Sequence, residues 1–93
     1  MITIDGLPTH PGEILEEEFL KPLLITKKTL AEHLGIPVER INEIVQGKGG
    51  ITPDVAWLFA QAFQTSPEFW MNLQTNYDLA VSKPQKQLLP LVN

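Results

Sequence analysis

No cysteine occurs among the 93 residues. That excludes a disulfide framework, a thiolate metal site and a cysteine nucleophile, and it fits a reducing compartment. Only two histidines are present, His10 and His33, too few to hold a metal without carboxylates converging on them. No apolar run approaches the roughly 20 residues of a membrane span, and the stretch from Met1 to Asp5 lacks the cationic start of a signal peptide. A cytoplasmic chain without membrane contact is expected. There is no glycine-rich phosphate loop and no nucleophile beside a base, so neither enzymatic activity nor a cofactor is expected. Positive charge is scarce too: 7 Lys and Arg stand against 11 Asp and Glu, for a formal charge of −4. Taken whole, such a chain is repelled by nucleic acid, and only a local patch could bind it.

What is present has a definite order. The chain length suits one small domain with a modest core. The acid is concentrated early, with Asp5, Glu13, Glu16, Glu17 and Glu18 unopposed by any Lys or Arg in the first twenty residues. Between residues 26 and 50, Lys27, Lys28, Arg40 and Lys48 outnumber Glu32, Glu39 and Glu43, so this stretch is slightly positive inside a negative protein.

Caps, breakers and apolar spacing predict five helices. The first runs from about Pro11 to Leu20, with Ile14, Leu15, Phe19 and Leu20 facing inward and Pro22 ending it. Thr26 caps the second, which carries Leu30, Ala31 and Leu34 inward until Gly35 stops it. The third extends from Pro37 or Val38 to Gln46. Thr52, Pro53 and Asp54 open a fourth that reaches Phe63, and Ser66, Pro67 and Glu68 open a fifth that runs to about Val81. Trp57, Phe59, Phe63, Phe69 and Trp70 recur at helical spacing without interleaved cations, which favours core over a base-stacking platform, with some excess left for a dimer interface because five short helices struggle to bury both tryptophans. Extended segments are expected only at Met1 to Ile4 and Leu88 to Val92. The last of these is unusual, because an apolar tail after Pro84 suggests packing on a second copy or capture by a partner, with simple disorder as the other reading. Expected boundaries are an arm over 1–9, a domain over 10–82 and a tail over 83–93.

Residues 26–46 have the form of two short helices joined at a sharp turn, the arrangement that lays its second helix in a DNA major groove. Ala31 is small where the helices cross, Gly35 can take the positive φ of the turn, and Ile36, Ile41 and Ile44 dock one helix on the other. The outward side of the third helix then carries Glu39, Arg40, Asn42, Glu43 and Gln46. Arg40 suits guanine, Asn42 or Gln46 suits adenine, and a glutamate can accept from cytosine. Val38, at the start of that helix, completes the base-facing set. Lys27 and Lys28 occupy a helix first turn, where cations oppose the dipole, a placement expected if a phosphate binds there. Thr26 and Lys48 complete the phosphate-facing set.

The segments His10-Pro11-Gly12-Glu13-Ile14-Leu15, Ile41-Asn42-Glu43-Ile44-Val45-Gln46-Gly47-Lys48, Gly50-Ile51-Thr52-Pro53-Asp54 and Thr65-Ser66-Pro67-Glu68-Phe69-Trp70 follow one another in order. With Asn72-Leu73-Gln74 and Tyr77-Asp78-Leu79 they give the chain, from about His10 to Leu79, a sequence that resembles the HigA (VapI-like) antitoxins of the Xre helix-turn-helix superfamily. The resemblance implies an all-α, lambda-repressor-like fold and a homodimer. It also implies repression of the chain's own operon at a palindromic operator in double-stranded DNA, and neutralisation of a HigB-type toxin, an mRNA-cleaving ribonuclease. The chain departs from the family's basic pattern at Glu39, Gly49, Leu58 and Gln61, which thins the cationic face while Arg40 and Lys48 remain. Two other readings stay open: a stand-alone Xre-type regulator without a toxin, and a protein-interaction module with a weakened DNA face.

Overall fold

The computed structural model describes residues 3–4 and 7–92. Strands β1 (Thr3–Ile4) and β2 (Leu7–Pro8) pair antiparallel, with Thr3 opposite Pro8 and Ile4 opposite Leu7. Five helices follow: α1 over residues 11–23, α2 (Lys27–Leu34), α3 (Val38–Val45), α4 (Pro53–Phe63) and α5 (Pro67–Val81). The expected five-helix architecture stands. The hairpin goes beyond the single extended segment expected at the start of the chain, of which Met1 and Ile2 lie outside the described residues.

His10 shapes the start of α1. Its backbone is extended (φ −63°, ψ 140°), and its Nδ1 accepts a hydrogen bond from the Gly12 N–H at 2.9 Å. The ring also meets Tyr77 of α5 edge-on, with centroids 4.8 Å apart. Burial pushes the imidazole below its ordinary pKa, against the opposing pull of Asp78 and Glu13. Because the folded value is depressed, the neutral ring is favoured in the native state. Its contribution to stability is present above the unfolded value of about 6.5 and lost as pH falls below it. His10→Asn keeps an N-cap acceptor but cannot titrate. The expected outcome is a thermal midpoint that declines less for the variant than for the parent between about pH 7 and pH 5; identical pH profiles in paired melts would rule out His10 as the titrating group.

The first helix does not end at Pro22. It is α-helical over Pro11–Ile14, widens to five-residue hydrogen bonding over Leu15–Leu20, and resumes over Lys21–Leu23. A proline inside a helix lacks a donor and crowds the carbonyl four residues back. Here the wide turn runs up to the proline, with the Lys21 N–H reaching Glu16 O, so the break in the ladder falls where Pro22 has no N–H to offer. Leu24, in the left-handed region at φ 57°, provides the actual stop.

Trp70, Phe59, Leu15, Ile41, Ile44 and Val55 are fully buried, so α1, α3, α4 and α5 all feed one core. Phe59 and Trp70 meet edge-on at 5.0 Å, and the Trp70 indole N–H donates to the Thr65 hydroxyl at 2.8 Å. Two of the aromatic residues expected in the core are not there: Trp57 is 58% exposed and Phe69 38% exposed. Helical spacing places them next to the buried faces of α4 and α5 rather than on them.

Candidate nucleic-acid interface

Local chemistry builds the two-helix unit. The Thr26 hydroxyl accepts from the Thr29 N–H at 3.0 Å and starts α2. Gly35, at φ 74°, ends it, its N–H bonding to Ala31 O at 2.9 Å while Ile36 N–H bonds to the same carbonyl at 3.1 Å. Left-handed backbone is cheap only for glycine, which is why the chain can reverse so quickly there. Pro37 then occupies the N-cap of α3 in extended form, and Arg40 N–H closes the first turn on Pro37 O at 3.0 Å.

Ile41 and Ile44 anchor α3 with no exposed surface, so the helix cannot rotate without emptying the core. At about 100° per residue, Glu39, Asn42, Glu43 and Gln46 then share one side, whereas Val38 and Arg40 stand at its two edges. Burial agrees with this division. Glu39, Glu43 and Gln46 are exposed and Asn42 is half-buried, while Val38 is half-buried and packs against the core. Val38 is thus shared between the core and the surface.

Arg40 is already engaged. One terminal nitrogen donates to the Thr52 hydroxyl at 2.8 Å and lies 4.0 Å from the Asp54 carboxylate, both at the start of α4. The Thr52 hydroxyl in turn donates to Asp54. That bond, with help from backbone N–H groups and Arg40, holds the Asp54 carboxyl below the ordinary carboxylate range. Thr52 therefore stands at the N-cap position of α4 without capping it through its side chain. A guanidinium carries five donors, so this clasp leaves several free and fixes the orientation of the rest.

At the start of α2, Lys28 and Thr26 are exposed and Lys27 is half-buried; Lys48 is exposed beyond the end of α3. The Thr26 hydroxyl is used twice, accepting from the Thr29 N–H and donating to the Thr29 hydroxyl at 2.9 Å. The proton left over belongs to Thr29. Sequence reasoning missed that side chain, although the spacing of two threonines at a cap and three residues later is the signal that reveals it. The lysines, the Thr29 hydroxyl and the helix dipole together favour an anion.

The loop leaving α3 is held as firmly as the helix. Lys48 and Gly49 N–H groups both bond to Glu43 O at 2.9 Å. The side chain of Gln74, buried in α5, accepts from the Ile51 N–H at 2.7 Å and donates to Asp78 at 2.8 Å. Gln74 is a second residue with a role that helical spacing alone did not suggest. Among the described residues no cluster of three or more His, Asp or Glu could hold a metal ion, and no helix is long and apolar enough to cross a membrane.

Residues 17–70 match the helix-turn-helix family model HTH_3. Over 83 residues the chain is 42% identical to virulence-associated protein I of Dichelobacter nodosus, covering 89% of this chain and 77% of that protein. Over 72 residues it is 42% identical to antitoxin HigA-1 of Vibrio cholerae, covering 77% and 68% respectively. Among solved structures, the Pseudomonas aeruginosa antitoxin HigA with the higBA promoter matches with a TM-score of 0.85 at 38% identity, covering 91% of this chain and 99% of that one.

Proposed function

We propose, from the premise that the chain belongs to the helix-turn-helix family and within it to the HigA antitoxins, that it is a cytoplasmic, homodimeric repressor that also neutralises a ribonuclease toxin. The observation that carries the DNA half is the fixed, outward face of α3, with Asn42 and Gln46 beside Glu39 and Glu43 and with Lys27, Lys28 and Lys48 on the flanking segments. In this reading Asn42, Gln46 and the free donors of Arg40 contact base edges, Glu39 and Glu43 accept from cytosine or reject other bases, and Val38 gives an apolar contact. Thr26, Lys27, Lys28 and Lys48 hold phosphates, with Thr29 supplying the hydroxyl proton. A single short reader has low affinity, and two of them on a two-fold operator multiply it, which is the physical reason for a dimer. The protein carries out no reaction of its own. The proposed boundaries are an arm over 1–9, the DNA-binding domain over 10–82 and a tail over 83–93.

The toxin half is supported by the antitoxin relatives and by the acidic surface of α1. A protein that grips RNA presents positive charge, and Glu13, Glu17 and Glu18 offer it an exposed counterpart. The test is co-expression with the adjacent small basic reading frame. Growth should stop when that frame is expressed alone and resume with this chain present, and the two products should co-purify. If this chain failed to restore growth, the antitoxin half would fall, leaving a stand-alone regulator.

A further inference from the structure

Helices α2, α4 and α5 each open on a Ser or Thr in extended conformation, and two of those side chains do what the position ordinarily requires. Thr26 accepts from the Thr29 N–H and Ser66 from the Phe69 N–H, each at 3.0 Å. Thr52 does not. Its backbone is equally extended (φ −103°, ψ 164°), yet its hydroxyl accepts from Arg40 at 2.8 Å and donates to Asp54, leaving the first turn of α4 without that cap. A local rule set aside marks a place where something else is being held, and what is held here is the guanidinium. We infer, on the DNA-reading function proposed above, that Thr52 and Asp54 are positioning residues that aim Arg40 at one base pair of the operator and keep it off the phosphates.

Arg40 needs such aiming. Ile41 and Ile44 turn inward, so Arg40 leaves α3 at the edge of the outward face rather than from its middle. A long, rotamer-rich cation at such an edge is drawn to the nearest phosphate, a contact that carries no sequence information. Asp54 opposes that, because its negative charge beside the guanidinium offsets the pull of phosphates. Thr52 fixes one terminal nitrogen. Since the guanidinium is a rigid planar fork, that bond sets the direction of the remaining donors. At 4.0 Å and exposed, the Arg40–Asp54 pair is weak, so the other donors stay available for guanine.

The mount itself is rigid. Ile51 is buried, and its N–H bonds to the side chain of Gln74 at 2.7 Å, while Pro53 fixes the backbone on the other side of Thr52. The loop after α3 thereby brings Thr52 back beside Arg40, 12 positions earlier in the chain, in one fixed place.

The test measures the affinity of the full chain for the duplex upstream of its own gene, for versions of that duplex with single base pairs changed, and for a scrambled duplex. Arg40→Ala should lower discrimination at one base pair by about tenfold or more and leave the other positions as they were. Thr52→Val should erase the preference at that same base pair through weaker binding of the upstream duplex, with the melting midpoint nearly unchanged because the hydroxyl does not cap α4. Thr52→Ser keeps the hydroxyl and should retain the parent's pattern. Asp54→Asn keeps an acceptor but loses the charge, and should reduce the same preference by strengthening binding to the changed and scrambled duplexes several-fold. If Thr52→Val and Asp54→Asn keep the parent's preference at that base pair, or weaken every duplex alike, the positioning role is overturned and the DNA-reading function stands. If Arg40→Ala alters no position, the role falls together with the assignment of Arg40, and the function again stands. Equal affinity of the parent for the upstream and scrambled duplexes overturns both.

Discussion

Replacing Gly12 by alanine is expected to destabilise the fold by about 3 kcal/mol or more, the upper end of what overpacking costs. The reason is a close approach of two backbones. A Cβ at position 12 would lie 1.7 Å from Ile44 O and 2.6 Å from the Ile44 carbonyl carbon. Neither atom can rotate away, because that carbonyl already accepts from the Gly47 N–H at 3.1 Å and ends the α3 ladder. Alanine must therefore push α1 off α3, opening the core at Leu15 and Ile44 and releasing the helix proposed to read DNA. In a domain of this size the loss corresponds to a fall of more than roughly 12 °C in the melting midpoint. Gly35→Ala separates space from conformation. Nothing lies within 4 Å of a Cβ there, yet φ is 74°, so the expected cost is only about 1–2 kcal/mol. Equal melting points for the two variants would contradict the close approach of α1 and α3.

The second large effect is on binding. Asn42→Ala with Gln46→Ala should lower affinity for the operator by about 2–6 kcal/mol while leaving affinity for unrelated duplexes nearly unchanged, because each base pairing discriminates by roughly 1–3 kcal/mol. Lys27→Ala with Lys28→Ala should act differently. It should weaken all sequences alike and make the salt dependence shallower by roughly 0.9 for each phosphate no longer neutralised. Neither pair is buried, and the groups that fix α3 lie elsewhere, so folding should be unaffected. Binding curves on operator and scrambled duplexes at two salt concentrations distinguish the patterns. If the lysine pair altered sequence preference, or the α3 pair weakened both duplexes equally, the assignments would be reversed.

The parts of this fold that follow local chemistry were legible in the sequence. Thr26, Gly35 and Ser66 mark helix ends because their side chains or backbone freedom settle hydrogen bonds within a few residues. Ile41 and Ile44 lie inward because three-residue spacing puts them on one face. What escaped depends on distant partners or on rules that context overrides. Pro22 reads as a stop, yet a widened turn before it absorbs the missing donor. The helix ends at Leu24 and Gln64 are left-handed without glycine, so no residue type announces them. Trp57 stands beside the buried face of its helix rather than on it and lies open, while Phe59 and Trp70 fill the core. At the candidate interface, the outward residues of α3 could be named from spacing alone. The clasp of Arg40 by Thr52 and Asp54, and the tether from Gln74 to the following loop, join residues 12 and 23 positions apart and needed the fold to bring them together.

The acidic character of the chain also takes a structural form. Glu13, Glu17 and Glu18 are exposed on α1, and Lys21 pairs with Glu17 at 2.8 Å. The cations proposed to meet DNA belong to α2 and to the segment after α3. Net charge thus bears on the character of the α1 surface, while the proposed DNA binding depends on a few local cations.

The most direct test of the DNA-reading face is a titration of the full chain onto the duplex upstream of its own gene and onto a scrambled duplex, repeated across a range of salt. The expected result is a preference for the upstream duplex of about 1,000-fold or more. Its affinity should fall linearly on logarithmic axes, with a slope no steeper than about −5 for the roughly six phosphates that Lys27, Lys28 and Lys48 of a dimer could neutralise. Equal affinity for the two duplexes, or an affinity indifferent to salt, would contradict it.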